Sequence, residues 1–216
     1  MSANQPRLEL RIDVFALGGQ RALALPTLTP PELVAAILDE FHELEFLSDA
    51  AGNYQLLKAS DRAPLDDATP TGQQLASGDQ LLLVEREAPL PKGAKRMRHH
   101  AYLRDQGTSK VYKLHWQPAI IGRPDNSQEH NDWLAVNMAA HPAGRRISRR
   151  HAQITEANGQ YFVERLSPNP TVVKDSQGVS TPVDQQKHPL RHGDVLYFEN
   201  SQIALKFIVR ERETTP

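Results

Sequence analysis

The sequence predicts an α+β domain followed by an all-β sandwich. Three observations predict it. Residues 1–86 run hairpin, helix, strand and closing strand in that order. Residues 101–216 hold a series of short β-type stretches and no helical period of useful length. A basic stretch broken by proline and glycine, residues 87–100, separates the two.

The first element is LELRIDVFA (8–16), where Leu8, Leu10, Ile12 and Val14 alternate with Glu9, Arg11 and Asp13. Alternation of that kind predicts a half-buried strand. Gly18-Gly19 reads as the turn and RALALP (21–26) as the returning strand of a hairpin. Thr29-Pro30-Pro31-Glu32 reads as a helix start: Thr29 caps, Pro30 fixes the first turn, and Glu32 reaches back to the cap amide. Leu33, Val34, Ile37, Leu38, Phe41 and Leu44 follow at helical spacing, with Asp39, Glu40 and Glu43 on the wet side. YQLLKA (54–59) predicts a short strand, and GDQLLLVE (78–85) a turn and an apolar strand. This order resembles a ubiquitin-like β-grasp domain over residues 7–86. No Gly-Gly tail closes it, and Val84-Glu85-Arg86-Glu87 runs on into the next segment. In that respect it is similar to the small ubiquitin-like proteins associated with bacterial type VII secretion. The resemblance implies an unconjugated protein-interaction module, with a secretion-system component as one partner.

Composition narrows the function. The 216 residues carry 25 Lys+Arg and 26 Asp+Glu, but unevenly: residues 1–88 hold 6 against 14, residues 89–100 hold 4 against none, and residues 101–216 hold 15 against 12. The absence of cysteine excludes disulfides, thiolate metal sites and cysteine nucleophiles. No apolar run is long enough to cross a bilayer, so no membrane insertion is expected. The N-terminal stretch has no apolar signal core, and a cytoplasmic protein is the expectation. Within the joint, Lys92, Lys95, Arg96, Arg98, His99 and His100 have no interleaved aromatic for base stacking. That stretch therefore reads as a solvated, extended linker and no nucleic-acid partner is expected.

Strands are predicted at KVYKLHW (110–116), AIIG (119–122), WLAV (133–136), HAQITE (151–156), QYFVERL (160–166), TVVK (171–174), DVLYFE (194–199) and IALKFIV (203–209). Turn residues such as Asn158-Gly159 separate them, which argues a β-sandwich. The chemistry gathers in RRISRRHAQI (145–154). Arg145, Arg146, Arg149 and Arg150 crowd around Ser148, and His151 follows three residues later. Like charges at this spacing repel unless each is solvated, paired with an acid such as Asp125, Asp132 or Glu164, or met by an anion. Gly122-Arg123 closes the strand AIIG, and RLSPNPTVV (165–173) is a polar loop between two strands.

Gly-Arg, then Ser-Arg-Arg-His, then Ser-Pro-Asn-Pro-Thr along a β-sandwich resemble the forkhead-associated (FHA) domain over residues 101–210. That family reads phosphothreonine in partner proteins. The chemistry suits the residue types, since a phosphothreonine brings about −1.5 to −2 charges and three acceptor oxygens, and an arginine fork meets them with charge-assisted bonds. The resemblance assigns Arg123 and Ser148 to the phosphate, with Arg149 also reaching it. It assigns Asn169 to the peptide backbone, and Arg146 to selecting the residue three after the phosphothreonine. Gly122 and His151 are support, His151 being a buried histidine that pins the binding loops from behind. Two departures stand out: Pro170 replaces the usual glycine after the loop asparagine, and Pro168 stands where a hydroxyl residue often sits. They stiffen the loop and remove two amide donors. NMAAHPAGRR (137–146) reads as a long loop with a selectivity of its own.

Other chemistries fit less well. His141, His151, His188 and His192 lack the close spacing of metal ligands. Ser148 and His151, three apart on one extended segment, do not form a hydrolase pair, and no nucleophile elbow is present. The expectation is a non-enzymatic adaptor with no cofactor and no metal. Its partner is a phosphothreonine-containing protein, a Ser/Thr kinase or its substrate. The alternative is a phosphate-independent structural component of a secretion or signalling assembly.

Overall fold

The computed structural model describes residues 7–125 and 131–211. The reading of the chain start (1–6) and the end of the second domain range (212–216) lie outside the described residues. The chain divides into two compact units, residues 1–87 and 88–216.

In the first unit, β1 (Leu8–Val14), β2 (Leu17–Ala24), β3 (Tyr54–Lys58) and β4 (Gln80–Glu85) form one sheet in the order β2-β1-β4-β3, with β1 and β4 parallel. The helix α1 (Pro30–Glu40) buries Leu33, Val34, Ile37 and Leu38 against it. Glu32 accepts hydrogen bonds from the Thr29 amide at 2.8 Å and the Thr29 hydroxyl at 2.9 Å, closing the expected capping box. A four-residue helix, α2 (Thr71–Gln74), was not signalled by the pattern. The hairpin turn lies earlier than Gly18-Gly19. β2 begins at Leu17, which pairs with Val14, so the chain reverses at Phe15 and Ala16 with Phe15 in the left-handed region at φ 54°. Burial overrides the glycine signal, because the Phe15 ring packs edge-on against Phe46 and Tyr54.

The second unit is a two-sheet sandwich. One sheet contains β7 (Ala119–Gly122), β8 (Leu134–Asn137), β9 (Ala152–Ala157), β10 (Gln160–Arg165) and β13 (His188–Leu190), in the order β13-β10-β9-β7-β8. The other contains β5 (His100–Asp105), β6 (Val111–Leu114), β11 (Thr171–Lys174), β12 (Ser180–Pro182), β14 (Val195–Phe198) and β15 (Ile203–Arg210), in the order β12-β11-β14-β15-β5-β6. Ile121, Ile154 and Val163 from the first sheet meet Leu103, Leu196, Phe198, Leu205 and Phe207 from the second in one core. Three strands escaped the sequence pattern. β5 has Ala101, Tyr102 and Leu103 all buried, so it shows no alternation. β12 is exposed throughout, and β13 has three residues.

Residues 88–100 belong to the second unit. The chain there is not a free solvated tether. Met97 is 3% exposed and joins the sandwich core, Lys95 and Gln117 exchange backbone hydrogen bonds at 3.1 and 2.7 Å, and the Arg98 amide donates to Glu156 at 3.0 Å. One apolar residue among the cations is enough to fasten the segment.

Candidate functional site

Antiparallel pairing of β9 with β10 and of β11 with β14 brings residues 138–151, 166–170 and 199–202 to one end of the sandwich, where β7 also ends at Gly122 and Arg123 follows. Hydrogen bonds join them. At the end of β7 the backbone of Gly122 lies so close to the 148–149 backbone that a Cβ there would run into the Arg149 carbonyl and sit 3.0 Å from the Ser148 carbonyl oxygen. Only glycine permits this approach. The next amide, Arg123 N–H, donates to the Ser148 and Arg149 carbonyls at 3.3 and 3.2 Å. The Arg123 side chain turns the same way, and its Nε donates to the Ile147 carbonyl at 2.6 Å. Arg123 and Ser148 are thus held together, although 25 positions separate them in sequence.

His151 is the fastening behind this loop. It is 1% exposed. Its Nδ1 accepts from the Ser148 amide at 3.3 Å, and its Nε2 lies 3.0 Å from the Thr171 hydroxyl. An accepting Nδ1 carries no proton, so the ring is the neutral Nε2–H tautomer donating to Thr171. Burial, and secondarily the charge of Arg165, push its pKa down to about 4. The Phe198 ring meets it edge-on at 4.5 Å. His151 therefore ties the serine loop to β11 and β14 and stays uncharged near neutral pH.

Asn169 completes the cluster. Its Nδ2 donates to Ser148 Oγ at 2.7 Å, and its Oδ1 accepts from Asn200 Nδ2 at 3.2 Å. The asparagine expected to meet a peptide backbone is thus already bonded to two neighbours, each bond using part of its capacity. Pro168 and Pro170 flank it, so neither adjacent position offers an amide donor.

The four arginines around Ser148 separate in space. Arg150 Nη1 donates to the Arg123 and Arg149 carbonyls at 3.3 and 2.9 Å, and its Nη2 to Asn131 Oδ1 at 3.5 Å, so it braces backbone. Arg149 is 63% exposed at its side chain, with Nη1 3.4 Å from the buried Asp125 carboxylate. Arg145 and Arg146 are exposed on a 3₁₀ turn, Gly144–Arg146. The crowding seen in sequence is relieved by solvent exposure of Arg145 and Arg146, the Arg149–Asp125 ion pair and the carbonyls that Arg150 donates to. The stretch before Ser148 is wound and anchored: Met138 and Ile147 are buried, His141 Nε2 lies 2.8 Å from the Asp105 carboxylate, and His141 Nδ1 accepts from the Ala143 amide at 3.0 Å. Beside it Tyr112 donates to Met138 Sδ, and burial, helped by the Asp105 charge, pushes that phenol up to about 12.

Sequence reasoning missed Thr171, Phe198, Asn200, Asn131 and the role of Asp105. Thr171 closes the Ser-Pro-Asn-Pro-Thr stretch, where the motif assigns it no role; the others lie on other strands and turns, and none of those carries a local motif. Among the described residues no group of three His, Asp or Glu is placed to hold a metal ion, and no helix is long and apolar enough to cross a membrane.

The fold and the loop cluster define a β-sandwich binding module. Residues 119–199 match the FHA domain family, and an FHA domain occupies that stretch of the chain. No curated protein matches the chain. Among solved structures it is similar to the FHA domain of human APLF in complex with an XRCC1 bisphospho peptide, at 18% identity and a TM-score of 0.38, covering 50% of this chain and 97% of that one. It is similar also to Mycobacterium tuberculosis EmbR in complex with a low affinity phosphopeptide, at 20% identity and a TM-score of 0.39, covering 54% of this chain and 26% of that one. An FHA domain of an Arabidopsis thaliana hypothetical protein gives 15% identity and a TM-score of 0.41, over 59% of this chain and all of that one. The first unit receives no family name and stands as a mixed sheet with one long helix, of α+β class.

Proposed function

We propose that the second unit captures a phosphothreonine-containing protein segment and that the chain works as a non-enzymatic adaptor. The observation that carries this reading is the hydrogen-bonded convergence of Arg123, Ser148 and Asn169 on one loop cluster, with Arg149 exposed at its edge. Arg123 and Arg149 supply charge, Ser148 a hydroxyl, and Asn169 an amide that fixes register. Gly122 and His151 hold the loops and touch no ligand. An unmodified threonine offers these groups no charge, so a Ser/Thr kinase switches the interaction on. Arg146, exposed on its turn, reads an acidic residue beyond the phosphothreonine.

The first unit is the second interaction module in this reading. Its strand order, with the hairpin, the crossing helix and parallel β1 and β4, supports a ubiquitin-like β-grasp domain. A phosphothreonine peptide library probed with the full chain tests the proposal. Selection of phosphorylated over unphosphorylated members supports it. Equal capture of both would favour a phosphate-independent assembly component, a role in keeping with the two prolines around Asn169.

A further inference from the structure

Asn200 stands on the turn between β14 and β15, and nothing in the sequence marks it out. The turn beneath it is firm. Ser201 Oγ donates to the Phe198 carbonyl at 3.2 Å and accepts from the Ile203 amide at 3.4 Å, while the Gln202 amide donates to the Phe198 carbonyl at 2.8 Å. Ser148 is connected to this turn twice. Its amide reaches it through the His151 ring, which packs on Phe198. Its hydroxyl reaches it through Asn169, which is bonded to Asn200.

The second connection has a direction. An asparagine amide carries a donor face and an acceptor face, and its partners choose which way it lies. Asn200 Nδ2 is a donor and occupies Asn169 Oδ1. With its Oδ1 so taken, Asn169 presents its NH₂ to Ser148 Oγ, 2.7 Å away. Because Oγ accepts there, the single hydroxyl proton of Ser148 is not spent on Asn169. In the reversed amide, Oδ1 would face Ser148 and consume that proton. Ser148 would then meet an anion with lone pairs alone.

We infer that Asn200 is a positioning residue which, by fixing the amide orientation of Asn169, keeps the Ser148 hydroxyl available as a donor to a bound phosphate. The inference rests on the phosphopeptide reading given above. It commits Asn200 to acting through Ser148 and not through the peptide. Asn200→Ala removes the bias on Asn169. Asn200→Asp reverses it, since a carboxylate only accepts and draws the Asn169 NH₂ to itself.

The test is a double-mutant cycle on the full chain, titrated with one phosphothreonine peptide selected from the library. Asn200→Ala should weaken binding about 5- to 10-fold, the effect of biasing one hydrogen bond, and Asn200→Asp should weaken it further. In a Ser148→Ala background the Asn200→Ala effect should shrink to less than about 2-fold, because the hydroxyl it acts on is gone, while Asn200→Asp keeps only the loss that repulsion between its carboxylate and the phosphate brings. The same loss for Asn200→Ala in both backgrounds, or no loss in either, overturns the role assigned to Asn200. Side-chain amide NMR signals of Asn169, assigned by their disappearance in Asn169→Asp, should shift in Asn200→Asp; unchanged signals overturn it as well. A wild-type chain that binds no phosphothreonine peptide is a different failure and removes the phosphopeptide reading together with this role.

Discussion

Ser148 and His151 share one loop but answer to different forces. Ser148 sits at the surface end of the cluster, so removing its hydroxyl leaves no buried group stranded. Ser148→Ala or Arg123→Ala should each cost about 1.5–3 kcal/mol of phosphopeptide binding, the worth of a hydrogen bond to a charged group, while the thermal midpoint of Ser148→Ala stays near wild type. Isothermal titration and thermal melts read the two effects separately. His151 behaves in the opposite way. Its ring is buried and bonded at both nitrogens, so His151→Ala should lower stability by about 2–4 kcal/mol through a cavity and an unsatisfied Ser148 amide, and should weaken binding only indirectly. Its pKa, pushed down to about 4 from the ordinary 6.5, gives a signed pH dependence. The unfolded chain takes up the proton first as pH falls, so the contribution is complete above pH 6.5. It is lost progressively between pH 6.5 and 4, by up to about 3 kcal/mol. Denaturant melts across that window should show a steeper slope in the wild type than in His151→Ala.

Among the elements, the closing of β7 on the serine loop shows most clearly how sequence becomes site. Gly122 lets two backbones meet, and Gly122→Ala should force the 148–149 segment away, costing about 1–3 kcal/mol as an overpacked contact does and reducing phosphopeptide affinity with it. Stability and affinity both at wild-type level would refute that. The long loop before Ser148 is wound on buried Met138 and Ile147, with half-buried His141 against Asp105, so Arg145 and Arg146 are presented from a fixed turn. A preference for Asp or Glu two to four residues after the phosphothreonine follows. It should be worth only about 0.2–1 kcal/mol, as exposed ion pairs are, should fade with salt and should vanish in Arg146→Ala. A flat peptide-library profile at those positions would contradict it. This scale also explains what the chain reveals by itself. Strands with one wet face, such as β1 and β10, show their alternation, and the capping box announces α1 within one residue. β5 is hidden because both of its faces are buried, and the hairpin turn is misread because the fate of Phe15 depends on Phe46 and Tyr54, far along the chain. Arg123, Ser148 and Asn169 are legible through local motifs. Asn200, Asp105 and the partnership of Thr171 with His151 are not, because they arise only when strands distant in sequence are paired.

At the scale of the whole molecule, two units of opposite charge balance share one chain, with residues 1–88 holding 6 Lys+Arg against 14 Asp+Glu. The core of the first unit, from Leu10 to Leu83, draws only on its own residues, so residues 1–87 expressed alone should unfold in a single cooperative transition by circular dichroism. A non-cooperative melt would show that the unit depends on the rest of the chain. In the proposed function the second unit supplies a switchable contact, whose energy comes from a charge that a kinase adds. One titration bears on this account most directly. The full chain is titrated with matched peptides that differ only in carrying phosphothreonine, phosphoserine or threonine. The account predicts binding of the phosphothreonine form tighter by about 100-fold or more than the unmodified form, as two charge-assisted hydrogen bonds would give, with Arg123→Ala cutting the difference by about 10-fold or more. Equal affinity for the phosphorylated and unmodified peptides, or a difference left at its wild-type size in Arg123→Ala, would contradict it.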